Sequence, residues 1–268
     1  MTPIPNEMSF GDHLEALRPH LIRAVIALLL LFIGAFCLHE WLVDQLLFGP
    51  TRAEFPTNRL LAALVRRIGE GEITFAPPAL RLINTSMAGQ LNLHLQISLW
   101  CAFVLAFPYL LWEVWRFIRP ALTEREQRSC RHFVGWVSLG FFSGIAFGYL
   151  IMAPLTVHFL AGYQISEAIG NLIDIRSYLS TIIDLSLTCA LLFQLPLLVY
   201  FLTRMGLISA SLLIHYRRHA LVSLAALAAI LTPPDAFSML LVMLPLLLLY
   251  EGSILLARRV ERRIEAGK

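Results

Sequence analysis

The sequence is short of charge. Only 15% of its 268 residues are Asp, Glu, Lys or Arg, where an average soluble domain carries about 25%. So few charges do not cover the surface of a soluble chain this long, which excludes a disordered protein and an ordinary soluble enzyme. Lysine is nearly missing: Lys268 is the one lysine among 21 basic residues. A net charge of +3 is too small for a surface that binds nucleic acid, and no nucleic-acid partner is expected. Cysteine is scarce as well. Cys37, Cys101, Cys130 and Cys189 lie in or beside apolar runs, so packed thiols are expected and a small disulfide-stapled scaffold is excluded. Zinc-type spacing, a phosphate loop and a nucleophile elbow are all missing. His215 and His219 stand one helical turn apart, as metal ligands can. Arg217 and Arg218 between them make a cation unwelcome, and neither a metal nor another cofactor is expected. The polar start, with Glu7, Asp12 and Glu15, is unlike a basic leader, and Phe36 before Cys37 is too bulky for lipoprotein processing. The first span is therefore expected to be retained.

What the chain does have is apolar length. It is 58% hydrophobic, with a mean hydropathy of +0.71. A helix needs about 20 apolar residues to cross a bilayer. Six runs qualify or nearly so: Leu21–Leu42, Leu93–Trp115, Phe133–Leu155, Tyr178–Leu202, Ala220–Leu231 and Ala236–Ala257. The expected fold is an all-α polytopic membrane protein with six transmembrane helices, a short fifth and sixth, and a concave bundle. Between Arg218 and the turn Thr232-Pro-Pro-Asp235 there are only about 15 residues, or roughly 22 Å of helix. Cytoplasmic loops carry an excess of Lys and Arg. Six spans with both termini cytoplasmic place 15 basic residues inside and 6 outside. The chain then reads as one membrane domain over 1–268, with cytoplasmic tails at 1–20 and 258–268 and a first cytoplasmic loop at 116–132. The outer loop at 43–92 carries a short amphipathic helix, with Leu60, Leu61, Leu64, Val65 and Ile68 on one stripe, Arg66 and Arg67 opposite, and Gly69 as its stop.

Polar groups inside apolar runs are costly, by about 2.5–3.5 kcal/mol for a charged one, and so mark candidate sites. Four are present: Glu113, Asp184, Gln194 and Glu251. Pro196 removes an N–H and frees the carbonyl of Leu192, so Gln194 beside it forms a hydrogen-bonding notch. The same residues also fit interhelical bonding within the bundle. Gly140, Gly144 and Gly148 make a small-residue stripe that fits close internal packing. In the loop after the second span, Trp112, Trp115 and Phe117 mark an interface and Pro120 a rigid turn. Glu124 and Glu126 there, with Glu15 of the tail, fit an acidic notch that grips guanidinium groups bidentately. Neutralisation by the loop's own arginines fits them too. Two other classes stay open from the residues alone. One is an ion-coupled small-solute transporter using Asp184 and Glu251, against which stands the lack of a repeat between the halves. The other is an intramembrane hydrolase, which lacks a nucleophile–base pair.

Four separated motifs carry a resemblance. They are His13-Leu-Glu-Ala-Leu-Arg18, Trp115-x-Phe117-Ile-x-Pro120-Ala-Leu122 with Glu126, Phe193-Gln-x-Pro196, and Leu231-Thr-Pro-Pro-Asp235 followed by Tyr250-Glu251. In these the chain resembles the TatC family, the multispanning subunits of the twin-arginine protein translocase. The resemblance implies a receptor, not an enzyme, in the bacterial cytoplasmic (inner) membrane. It implies recognition of twin-arginine signal peptides on the cytoplasmic face. It also implies assembly with small single-span subunits of the TatA/TatB type and further TatC copies, so that folded proteins cross the lipid bilayer on the protonmotive force. Carried over by motif, Glu126 is the main arginine-binding carboxylate, and Phe117, Pro120 and Leu122 shape its loop. Arg18 structures the tail, and Gln194 with Pro196 meets a polar group on a partner helix. Pro50 and Asp235 hold outer turns. The tail departs from the pattern: Ala16 stands where the family has glutamate, with Glu15 one place earlier, about 100° away on a helix. The second arginine-binding carboxylate is then Glu15 or Glu124.

Overall fold

The apolar runs become long helices, because a backbone without water must satisfy its N–H and C=O groups within the helix. The structure, a computed structural model, describes residues 10–68, 81–121, 133–163, 166, 171–231 and 236–266. In chain order the helices are α1 (Phe10–Cys37), α2 (His39–Trp41), α3 (Pro56–Ile68), α4 (Gly89–Ile118), α5 (Phe133–Phe147), α6 (Ala153–Gly162), α7 (Ile175–Leu192), α8 (Leu195–Arg204), α9 (Ala210–His215), α10 (Arg217–Leu231) and α11 (Ala236–Ala266). Among the described residues four stretches are long and apolar enough to cross a membrane: Leu17–Cys37, Gly89–Ile118, Phe133–Gly162 and Ile175–Arg204. They match the first four expected spans and extend the second to fourth. The fifth expected span is α10, a helix of 15 residues. The sixth is the apolar part of α11, whose 31 residues run on through Arg258 and Arg263. The tail expected to reach residue 20 is helical from Phe10, with Pro19 inside the helix.

Two units make up the chain, 1–39 with 94–138 and 40–93 with 139–268. In the first, the ring of His94 stacks on Phe36 at 3.8 Å, and its Nε2 meets the Phe36 carbonyl at 3.0 Å. In the second, Met152, Leu185, Cys189, Leu192, Leu224, Ala228, Val242 and Leu246 form a buried core, and α11 packs along α8, α9 and α10.

The glycine stripe lies against α7 in this second unit. A Cβ on Gly144 would sit 2.5 Å from the Ala190 Cα, and one on Gly148 would sit 2.6 Å from the Ser186 Cα. The two helices therefore touch backbone to backbone, as small residues permit in membranes.

Turns of the second unit are tied by short polar bonds. Leu82–Ile83 (β1) and Ile173–Asp174 (β2) pair in parallel. Asp174 caps α7 by accepting from the Arg176 N–H at 2.8 Å and from the Thr85 hydroxyl at 2.6 Å. The Thr85 hydroxyl, and then the Arg176 N–H, hold the Asp174 carboxyl below its usual range, because both bond the charged form. A carboxylate with a lowered folded pKa stabilises above its unfolded pKa, near 3.9, and that contribution is lost as pH falls through the lower folded value. We expect amide protection at Leu82 and Ile83 to fall with acidification in this window. The acid step should disappear in Asp174→Asn with Thr85→Val, a comparison read by hydrogen exchange.

Candidate functional site

Three groups of sequence-selected residues fall in three places. The first is the end of α4 together with the start of α1, all within the first unit. Glu15 and Arg18 lie exposed on α1, and Pro19 leaves the Glu15 carbonyl without its usual intrahelical donor. Phe117 is half-buried near the end of α4, and Pro120 is exposed in the 3₁₀ turn Arg119–Ala121 that follows. Leu122, Glu124 and Glu126 lie outside the described residues. The two chain segments are joined through Glu113. Its carboxylate is 3% exposed and accepts from His20 Nδ1 at 2.5 Å and from the Tyr109 hydroxyl at 2.9 Å. A carboxylate oxygen can only accept, so Nδ1 of His20 carries the proton. The Phe117 ring meets the His20 ring edge-on at 6.2 Å.

The second place is the break between α7 and α8. Phe193 and Gln194 form a turn there, and Pro196 sits at the second position of α8. The Gln194 N–H turns back to the Leu191 carbonyl at 3.0 Å. The Ala190 carbonyl, left over by that choice, accepts instead from the Gln194 side-chain Nε2 at 3.1 Å. Gln194 thus caps the break that its neighbouring proline requires. Its Oε1 is buried without a hydrogen-bond partner among the described residues, beside Gly140 on α5. A buried acceptor left open in an apolar wall costs about 1–3 kcal/mol, and a donor from another helix would relieve it.

The third place is the turn at Pro50. Asp235 lies outside the described residues, but Pro50 is buried in the 3₁₀ turn Gly49–Thr51. Asn58 on α3 donates to the Pro50 carbonyl at 3.0 Å and to the Arg52 carbonyl at 2.8 Å. Its Oδ1 accepts from His158 Nε2 at 3.2 Å. Neighbouring turns are pinned by the Thr57 hydroxyl on the Leu150 carbonyl, Tyr149 on Leu46 at 2.7 Å and Tyr178 on Leu47 at 2.9 Å. So α3 is the helix expected in the outer loop, but it is seated by polar contacts of Thr57 and Asn58, and Leu60 of the apolar stripe is exposed. Its Gly69 stop lies outside the described residues.

The acids behind the transporter reading do not share a site. Glu251 is ion-paired to Arg217, and Asp184 is exposed on α7. Among the described residues no group of three or more His, Cys, Asp or Glu side chains is placed to hold a metal.

Taken together, four apolar helices long enough to cross a bilayer, with buried polar sites built from side chains and freed carbonyls, define an α-helical membrane protein. A family model described as Sec-independent protein translocase protein (TatC) matches residues 12–245, and the chain belongs to that family. It is 35% identical over 260 residues to the Sec-independent protein translocase protein TatC of Blattabacterium sp. subsp. Periplaneta americana (strain BPLAN), covering 96% of this chain and 98% of that one. With TatC of Deinococcus radiodurans it shares 30% identity, covering 96% and 90%. A crystal structure of the twin arginine translocase receptor TatC superposes with a TM-score of 0.69 at 29% identity, over 93% of this chain and 99% of that one. The chain is therefore a membrane-embedded component of a Sec-independent protein translocase, with a role in transport rather than catalysis.

Proposed function

We propose that the chain is the twin-arginine signal-peptide receptor of its translocase and the platform on which the translocase assembles. The observation that carries this reading is the junction at Glu113. It ties the α1 segment bearing Glu15 and Arg18 to the end of α4, from which the segment with Glu124 and Glu126 continues. Carboxylates bind guanidinium groups through paired, charge-assisted hydrogen bonds, and two of them suit a pair of adjacent arginines. Glu126 is the principal arginine ligand, with Glu15 or Glu124 as the second. Phe117, Pro120 and Leu122 shape the loop between them. Both termini and this site face the cytoplasm of a bacterium, in its inner membrane. Six spans fit that orientation, with α10 and the apolar part of α11 as the last two. Single-span subunits of the TatA/TatB type meet the open acceptor of Gln194, further copies of the chain join the complex, and the protonmotive force drives export of folded cargo. A 15-residue α10, about 22 Å long, would thin the bilayer beside such docked helices.

The test is crosslinking of a twin-arginine precursor to the Glu126 loop in membranes. Charge-assisted bonds of about 1.5–3 kcal/mol predict that Glu126→Ala, or a twin-lysine signal, lowers capture by roughly ten- to a hundredfold. Capture indifferent to both changes would overturn the receptor reading.

A further inference from the structure

Glu113 is the one charged side chain among the described residues that is buried, and it stands outside the recognition motifs. Both of its oxygens are occupied, one by His20 and one by Tyr109, so it is not free to take a guanidinium group. Stability does not account for it either. Replacing a buried pair of this kind by apolar side chains of similar volume is often neutral or stabilising, and two apolar helices pack in a membrane without one. What a pair of this kind supplies is register, since its geometry is met at one setting of α1 against α4. The setting matters because of what flanks it. His20 lies two residues after Arg18 and five after Glu15, and Glu113 lies four residues before Phe117 and seven before Pro120. Phe117 closes on the His20 ring, and Arg23, the next charge along α1, adds its field to the carboxylate.

We propose that the His20–Glu113 pair, braced by Tyr109, is a positioning clamp for the twin-arginine site. It holds the Glu15–Arg18 segment of α1 in register with Phe117 and the Arg119–Ala121 turn. Neither residue touches the signal peptide. The proposal rests on the receptor reading and goes beyond it by assigning affinity to two residues outside the recognition motifs.

The test uses the full-length chain in membrane vesicles with its partner subunits, titrating a twin-arginine precursor and reading transport rate. His20→Leu/Glu113→Leu removes the pair while keeping the space filled, so the chain folds and accumulates. Its half-saturating precursor concentration should rise about tenfold with the maximal rate unchanged, because a displaced site binds less tightly but transports what it has bound. The exchanged pair, His20→Glu/Glu113→His, should return half-saturation to within about twofold of the parent, which a merely structural role would not require. A leucine pair with parental half-saturation, or an exchanged pair that rescues nothing, overturns the clamp. A parent that does not prefer twin-arginine over twin-lysine precursors in the same assay overturns the receptor reading beneath it.

Discussion

Replacing Gly144 with leucine is expected to remove the folded chain from the membrane. A Cβ at this position would lie 2.5 Å from both the Ala190 Cα and the Cys189 carbonyl oxygen, and 2.8 Å from the Ala190 nitrogen. All three are backbone atoms of α7, which cannot step aside as a side chain does. At Gly148 the obstacles are the Ser186 Cα at 2.6 Å and the Leu185 oxygen at 2.9 Å. At Gly140 the nearest atom is the Gln194 Nε2 at 3.3 Å, the end of a side chain that can shift. The three glycines of one stripe therefore predict a graded series. Gly144→Ala should cost about 1–3 kcal/mol as overpacking, offset only in part by the gain in helix propensity of about 1 kcal/mol. Gly148→Ala should cost slightly less and Gly140→Ala least, while leucine at 144 forces the helices apart. Thermal unfolding in detergent and the steady-state amount in membranes report the order. Equal behaviour of Gly144→Leu and Gly140→Ala would show that α5 and α7 do not meet at their backbones.

The features of this fold that follow from one-dimensional patterns are legible in the sequence. Apolar length gives the four long stretches, and the Gly-x-x-x-Gly period gives the contact between α5 and α7. The pattern around α3 gives a helix there, though not how it is seated. Pro196 gives the break between α7 and α8, because a missing N–H is a local fact. What sits across that break is also partly local, since Gln194 bonds the carbonyl one turn before it. The harder features join residues far apart in the chain. Glu113 stands out as a carboxyl in an apolar helix, but nothing near it in sequence names His20, which lies 93 positions away. Nor does the sequence mark Asn58, a polar residue in a loop helix, as 1% exposed and central to the Pro50 turn. Such pairings are fixed by tertiary packing, and periodicity carries no trace of them. The charges over 1–20 set where the apolar run begins, not where the helix begins. The helix α1 starts at Phe10, since charged side chains on a helix cost nothing to its backbone bonds. That continuation makes the one-place offset between Glu15 and Ala16 a real rotation of about 100°.

The second large effect is expected at Asn58, and its direction follows from which atom faces which. The side-chain amide donates to two carbonyls, Pro50 at 3.0 Å and Arg52 at 2.8 Å, and accepts from His158 at 3.2 Å. Asn58→Ala would strand the buried Pro50 carbonyl, at a cost of about 1–3 kcal/mol, while the Arg52 carbonyl keeps the Phe55 N–H at 3.1 Å. A loss of about 1–3 kcal/mol is therefore expected. Asn58→Asp is nearly the same shape, and on shape alone should be the milder change. Its second oxygen would instead face the two carbonyls that the amide N–H groups now satisfy, and a carboxylate there carries a buried charge. The expected order of stability is parent, then Asn58→Ala, then Asn58→Asp at neutral pH. Because Pro50 is held by the amide of Asn58, both variants should expose the Gly49–Thr51 turn to proteolysis before the rest of the second unit opens. Limited proteolysis with thermal unfolding in detergent reads both predictions. An aspartate variant as stable as the parent would mean that the two carbonyls do not face this side chain, and that the Gly49–Thr51 turn is held some other way.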